Sequence, residues 1–152
     1  MTLSEKGLNF IKRHEGFRSK PYLDAVGIPT IGYGCTFYPD GRKVTMADKP
    51  ITEAEATTLL RALVAKFEVV MRRLIKVPLT QNQWDALVSL CMAIGTGNFQ
   101  RSSVLSLVNK NPNDDAIYDA FLKHSSTKKG YMQGLANRRH DEATLYGVKK
   151  KP

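Results

Sequence analysis

Between residues 17 and 36, Pro21, Gly27, Pro29, Gly32 and Gly34 break a chain that elsewhere carries helical periodicity almost throughout. Proline removes a backbone donor and glycine loosens the backbone, so this spacing excludes a helix. Tyr22, Val26, Ile28, Ile31 and Tyr33 fill the gaps, and aromatic and β-branched residues favour strands. D-A-V-G at 24–27 and Y-P-D-G at 38–41 have the composition of hairpin turns. Together these features predict a small antiparallel sheet over about 17–46.

Helical patterns flank it. Thr2 and Glu5 read as a capping box for a helix over 3–13 with Leu3, Gly7, Leu8 and Ile11 on one face, and Glu15 falls just past its end. Thr52 and Glu55 open a second helix, whose apolar residues recur at 60, 63, 64, 67, 70, 71 and 74 until Pro78 stops it near Lys76. Thr80 and Gln83 cap a third, which carries Trp84, Leu87, Val88 and Cys91 on one face and ends at G-T-G, 95–97. Shorter helices are expected around 102–109, capped by Ser102 and Ser103, and after N-P-N-D-D, with Ile117, Ala120 and Phe121 inward. The last helix is expected over 134–146, followed by a disordered K-K-K-P tail. The order predicts an α+β fold in one domain, 1–152. Its sheet-bearing lobe spans about 14–55, its inter-lobe helix about 53–76, and its helical lobe about 77–147 packs with helix 3–13. A cleft between such lobes is the expected place for a substrate.

Composition narrows the function. A formal net charge of +9 on 152 residues implies a polyanionic partner, whether nucleic acid, anionic membrane or an acidic cell-wall polymer, or else serves solubility alone. No base- or phosphate-reading motif is present, so no specific nucleic-acid partner is expected. No apolar run approaches the ~18 residues of a membrane span. The opening M-T-L-S-E-K-G lacks the basic and apolar regions of a secretory signal. Cys35 and Cys91 form no C-x-x-C pair and no metal-ligand spacing with the three histidines. Two reduced thiols are expected, with no metal and no cofactor. Neither a nucleophile–His–Asp pattern nor a phosphate-binding loop occurs.

Glu15, Asp24 and Thr30 are the candidate catalytic residues. Glycosidic cleavage needs one carboxylic acid to protonate the leaving oxygen and a second carboxylate on the opposite face of the sugar. A helix-to-sheet junction can shield Glu15 from water, whereas a Gly-flanked turn leaves Asp24 open to it. Positions 24 and 30 become cross-strand or diagonal neighbours in a hairpin closed near 25–28, so the Thr30 hydroxyl can hold a water against Asp24. Tyr22 and Tyr33 either line a sugar site or pack within the sheet. Gly32 and Gly34 either admit a glycan to the backbone or permit sheet bends. Arg138 and Arg139 either reach the site, where one pairs with Glu15, or form a solvated helix face. His14 and Trp84 read as structural.

The stretch H-E-G-F-R-S-K-P-Y-L-D-A-V-G-I-P-T-I-G-Y-G at 14–34 spells E-x8-D-x5-T and closely resembles the signature of the phage-type lysozymes, or endolysins. P-I-T-E-A-E-A at 50–56, L-T-Q-N-Q-W-D-A-L-V-S-L at 79–90, G-T-G-N-F at 95–99 and G-L-A-N-R-R-H-D-E at 134–142 extend the resemblance over about 145 residues. Ala93 departs from it, standing where many relatives carry Asn. The resemblance implies a lysozyme-like fold and a muramidase that cuts the β-1,4 bond between N-acetylmuramic acid and N-acetylglucosamine in bacterial peptidoglycan. It implies Glu15 as general acid, Asp24 as base or electrostatic stabiliser and Thr30 as the residue that orients the water. A lytic transglycosylase acting on the same bond and a catalytically dead peptidoglycan-binding module are the alternatives. A monomer is expected, held in the host bacterial cytoplasm until it is released to the wall.

Overall fold

Ser4, rather than Thr2, caps the first helix: its hydroxyl accepts from the Gly7 N–H at 3.0 Å and its carbonyl from Leu8 at 2.9 Å. The structure, a computed structural model, describes residues 1–152. In chain order it contains α1 (Glu5–Glu15), β1 (Arg18–Leu23), β2 (Pro29–Gly32), α2 (Glu53–Leu74), α3 (Gln81–Ile94), α4 (Thr96–Gln100) and α5 (Ser103–Lys110). Then follow α6 (Ala116–Leu122), β3 (Ser126–Thr127), β4 (Gly130–Tyr131) and α7 (Gln133–Tyr146). The chain forms two compact units, one of Asn9–Lys66 and one of Met1–Leu8 with Phe67–Pro152, so α1 and α2 each begin in one unit and end in the other.

In the first unit β1 and β2 pair antiparallel, with Tyr22 opposite Thr30 and Leu23 opposite Pro29. The register is irregular between Arg18 and Tyr22, where Pro21 has no N–H to give the ladder. Single bridges at Ile31–Cys35 and Phe37–Lys43 continue the β-structure, and the Y-P-D-G turn closes with Gly41 N–H donating to Tyr38 O. The predicted capping box opens α2: Thr52 N–H donates to Glu55 Oε1 and Glu55 N–H to Thr52 Oγ1. Ala56, Leu60 and Val64 are buried along its inner stripe, with Ile31, Cys35 and Val44 of the β-region also in the core.

In the second unit α3 is buried at every position from Gln83 to Cys91, which makes it the central helix. The Thr80–Gln83 capping box starts it as predicted, and α7 packs against it. Three buried acids on or against α3 each have named polar partners. Trp84 Nε1 donates to Glu68 Oε2 at 2.8 Å. Asp85 accepts from the Ser4 N–H, the Ser4 hydroxyl and Gln81 Nε2. Glu142 on α7 is fully buried, accepts from the Ser89 hydroxyl and pairs with Arg139 Nε at 2.6 Å and Arg138 Nε at 3.4 Å. Gly7 is required by the second of these groups, because a Cβ there would lie 2.6 Å from both Asp85 Cγ and Leu3 Cδ1.

The β3–β4 hairpin and the five-residue α4 are absent from the sequence expectation, since two-residue strands and a single helical turn are too short for a period to register. No helix is long and apolar enough to cross a membrane. Replacing Glu142 with Ala deprives the buried Arg139 and the half-buried Arg138 of their shared carboxylate. Denaturant unfolding should show a loss of about 3–5 kcal/mol.

Candidate active site

Glu15 is the last residue of α1 rather than one beyond it, and Gly16 then turns the chain towards β1. The half-buried Glu15 side chain comes back against the loop after β2: a Cβ built on Gly34 would stand 2.7 Å from Glu15 Oε2. Gly34 also has φ +79°, a conformation that side-chain-bearing residues adopt at a cost. Its neighbour Cys35 is buried, and its thiol is pushed up to about 11, first by burial and then by the charge of Glu15.

Asp24 leads into the β1–β2 turn. Its Oδ1 accepts the N–H groups of Val26 and Ile28, both at 2.9 Å, and its own N–H donates to Ile28 O at 3.0 Å. Asp24 is therefore opposite Ile28, and Thr30 is its diagonal neighbour, on the strand face that Tyr22 shares. Thr30 is 3% exposed, and its hydroxyl donates to Ile28 O at 2.8 Å. Tyr22 links the carboxylates. Its phenol is pushed up, first by burial, then by Glu15, with Asp24 and Cys35 adding and Arg18 opposing. The Arg18 guanidinium stacks over the Tyr22 ring at 4.3 Å. Asp24, Tyr22 and Thr30 thus share one face of the hairpin, and Glu15 at the end of α1 approaches the loop that follows it.

Residues 12–142 match the phage lysozyme family profile. The chain belongs to the phage lysozyme family. It is 40% identical over 143 residues to an endolysin of Salmonella phage P22, covering 94% of this chain and 97% of that one. The endolysin of Escherichia coli O157:H7 phage FAHEc1 superposes with a TM-score of 0.89 at 39% identity, over 100% of this chain and 97% of that one. The muramidase domain of SpmX from Asticaccaulis excentricus superposes at 0.85 with 32% identity, over 97% and 99%. The lysozyme-like α+β expectation therefore holds, and a phage lysozyme is a glycosidase-type hydrolase of peptidoglycan.

Three residues read as possible substrate contacts in this phage lysozyme are instead packed. Tyr33 is 4% exposed, donates its hydroxyl to Glu53 Oε1 at 2.8 Å and lies 5.7 Å from the Phe17 ring. Its phenol is pushed up to about 12 by burial and by Glu53. Gly32 is buried, and a Cβ there would stand 3.1 Å from Ala56 Cβ, so its lack of a side chain seats α2 against the sheet and not a glycan. Arg139 is 1% exposed and ion-paired with Glu142, so it presents no surface to a ligand. Arg138 also approaches this cluster, with Nη2 at 3.3 Å from Ser89 Oγ. Tyr22 stays half-buried on the face of Asp24 and Thr30. His14 stacks on Phe10 at 4.7 Å, and Trp84 is core, as the sequence indicated.

Sequence inspection missed the contact between Gly34 and Glu15. The only signal for it was the tight G-Y-G-C run, which also suits a simple bend. Gly34→Ala should lower peptidoglycan-hydrolysing activity by displacing the Glu15 carboxylate. It should also cost about 1–2 kcal/mol from the left-handed backbone, read by thermal melting. Cys35 and Cys91 are both buried free thiols, and Cys91 is pushed up to about 12 by burial. An aromatic disulfide reagent at pH 7 should find neither thiol in the native protein and both after denaturation.

Proposed function

We propose that this phage lysozyme is a muramidase that hydrolyses the β-1,4 bond between N-acetylmuramic acid and N-acetylglucosamine. Glu15 donates a proton to the leaving oxygen, while Asp24 and Thr30 position the attacking water. The observation that carries this reading is geometric: Asp24 and Thr30 are diagonal neighbours on one face of the hairpin, and the Glu15 carboxylate lies against Gly34 in the loop that follows it. It supports two acids acting at one locus.

The hydrogen bonds support a division of labour. Asp24 Oδ1 is occupied by the Val26 and Ile28 N–H groups, which leaves Oδ2 to accept a proton from water. The Thr30 proton is committed to Ile28 O, so its oxygen is an acceptor for the same water. A water donating to both has its lone pair directed away from them, towards a sugar carbon. A water held between Asp24 and the sugar favours inversion, which needs roughly 6.5–9.5 Å between the carboxyl groups. The name of the SpmX relative, a muramidase domain, supports the choice of bond. The charge of +9 favours encounter with an anionic wall. In this reading the enzyme acts as a monomer without cofactor and reaches the wall after release from the host cytoplasm.

The test is product analysis of digested peptidoglycan. Hydrolysis gives new reducing muramic acid ends, whereas 1,6-anhydro ends, one water lighter, would assign a lytic transglycosylase. Glu15→Gln should cut the rate by roughly 10²–10⁴-fold with an unchanged melting temperature. Thr30→Ala should reduce kcat while Thr30→Ser retains most of it. A fully active Glu15→Gln protein would overturn the assignment.

A further inference from the structure

The backbone of Ile28 joins the two hairpin residues assigned above to the attacking water. Its N–H donates to Asp24 Oδ1 at 2.9 Å, and its carbonyl accepts both the Asp24 N–H at 3.0 Å and the Thr30 hydroxyl at 2.8 Å. We propose that the Ile28 side chain is a specificity-determining contact for the substrate. It is an apolar stop for the methyl of the 2-acetamido group on the sugar whose anomeric carbon is attacked. This assignment rests on the muramidase reading above.

The strand register fixes where the side chain points. Tyr22 is opposite Thr30 and Leu23 opposite Pro29, so Asp24 is opposite Ile28. Directly opposed residues of an antiparallel pair share a face, and so do residues two apart on one strand. Ile28 therefore stands on the face of Asp24, Tyr22 and Thr30. Along that face burial falls outward: Thr30 is 3% exposed, Tyr22 is half-buried and Ile28 is 46% exposed. The hydroxyl lies at the inner end of the face and the isoleucine at its open end, across the turn from Asp24.

Three large apolar side chains of this hairpin are exposed, Leu23, Val26 and Ile28. Leu23 is opposite Pro29 and belongs to the other face, and Val26 lies in the turn. Only Ile28 is both open to solvent and aligned with the two groups proposed to hold the water. The hydrogen bonds of its own backbone fix its place, so the contact is presented before any ligand arrives.

The chemistry of the substrate selects the group it meets. Hydrolysis that leaves a reducing muramic acid end puts the attacking water at C1 of N-acetylmuramic acid. In the ring C1 is flanked by O5 and by C2, and C2 carries the acetamido group. Its methyl is the apolar substituent nearest the reacting carbon, and the lactyl methyl on C3 is one bond further away. The ring oxygen and the hydroxyls offer an isoleucine nothing apolar to cover. One methyl in an apolar contact is worth roughly tenfold, enough to distinguish one acyl group from another.

The test uses glycan strands freed of peptide, N-deacetylated and then N-acylated with either acetyl or formyl groups. The two substrates differ by the methyl alone and carry equal charge. For the native protein kcat/KM should be about tenfold higher on the acetyl strands, mainly through KM, and Ile28→Ala should bring that ratio close to one. Ile28→Val should keep most of it. A hairpin merely loosened by the substitution would slow both substrates equally, because Asp24 and Thr30 serve both. An unchanged ratio in Ile28→Ala therefore overturns the contact. Binding is read separately in the Glu15→Gln protein, where the acetyl strands should shift the Ile28 methyl resonances more than the formyl strands do. Such shifts in a protein whose native form releases no reducing muramic acid ends keep the contact and remove the muramidase reading. Absence of shifts at Ile28 overturns the contact alone.

Discussion

A single carboxylate oxygen, Oδ1 of Asp24, organises the hairpin that sets Tyr22 opposite Thr30. By accepting from both Val26 and Ile28 it closes the turn locally, without help from distant packing. Closure sets Tyr22 opposite Thr30, and the strand alternation then puts Asp24, Tyr22 and Thr30 on one side. The residue we propose to hold the attacking water is thus also the one that builds its own support. Its two oxygens divide these tasks, one facing the backbone and one left for solvent.

The other acid depends on a different constraint. Glu15 ends a helix, where backbone hydrogen bonding gives way to side-chain placement, and its carboxylate fits only because Gly34 presents bare backbone. Tyr22 and Cys35, both pushed up in part by Glu15, mark how closely the surrounding groups sense its charge. A glycine and a buried thiol make a wall that neither ionises nor crowds the acid.

Polar groups play the opposite part in the helical unit. Around α3, Glu68, Asp85 and Glu142 are buried and each is tied to named donors. Burial pushes the Glu142 carboxyl up, while Arg139, Arg138 and Ser89 pull it down, so removing any partner exposes the full desolvation cost. These clusters specify which helix faces meet. They also explain why Arg139, a plausible ligand contact from its R-R context, is instead part of the core.

Much of the fold was legible in the residues because the signals are local. The two capping boxes at Thr52 and Thr80, the apolar stripe of α2, the α3 stripe and the hairpin turns all depend on spacing within a few residues. Ser4 displaced Thr2 as the first cap because Asp85, far along the chain, accepts from Ser4 and fixes it there. The same distinction runs through the site. Sequence alone pointed to the Glu–Asp–Thr set and to the hairpin turn at Asp24, since these signals are local; the register of the structure then made Thr30 the diagonal neighbour of Asp24. Only the tertiary structure decided that Tyr33, Gly32 and Arg139 are packed and that Gly34 faces Glu15, because burial and close approach depend on partners that no local pattern names.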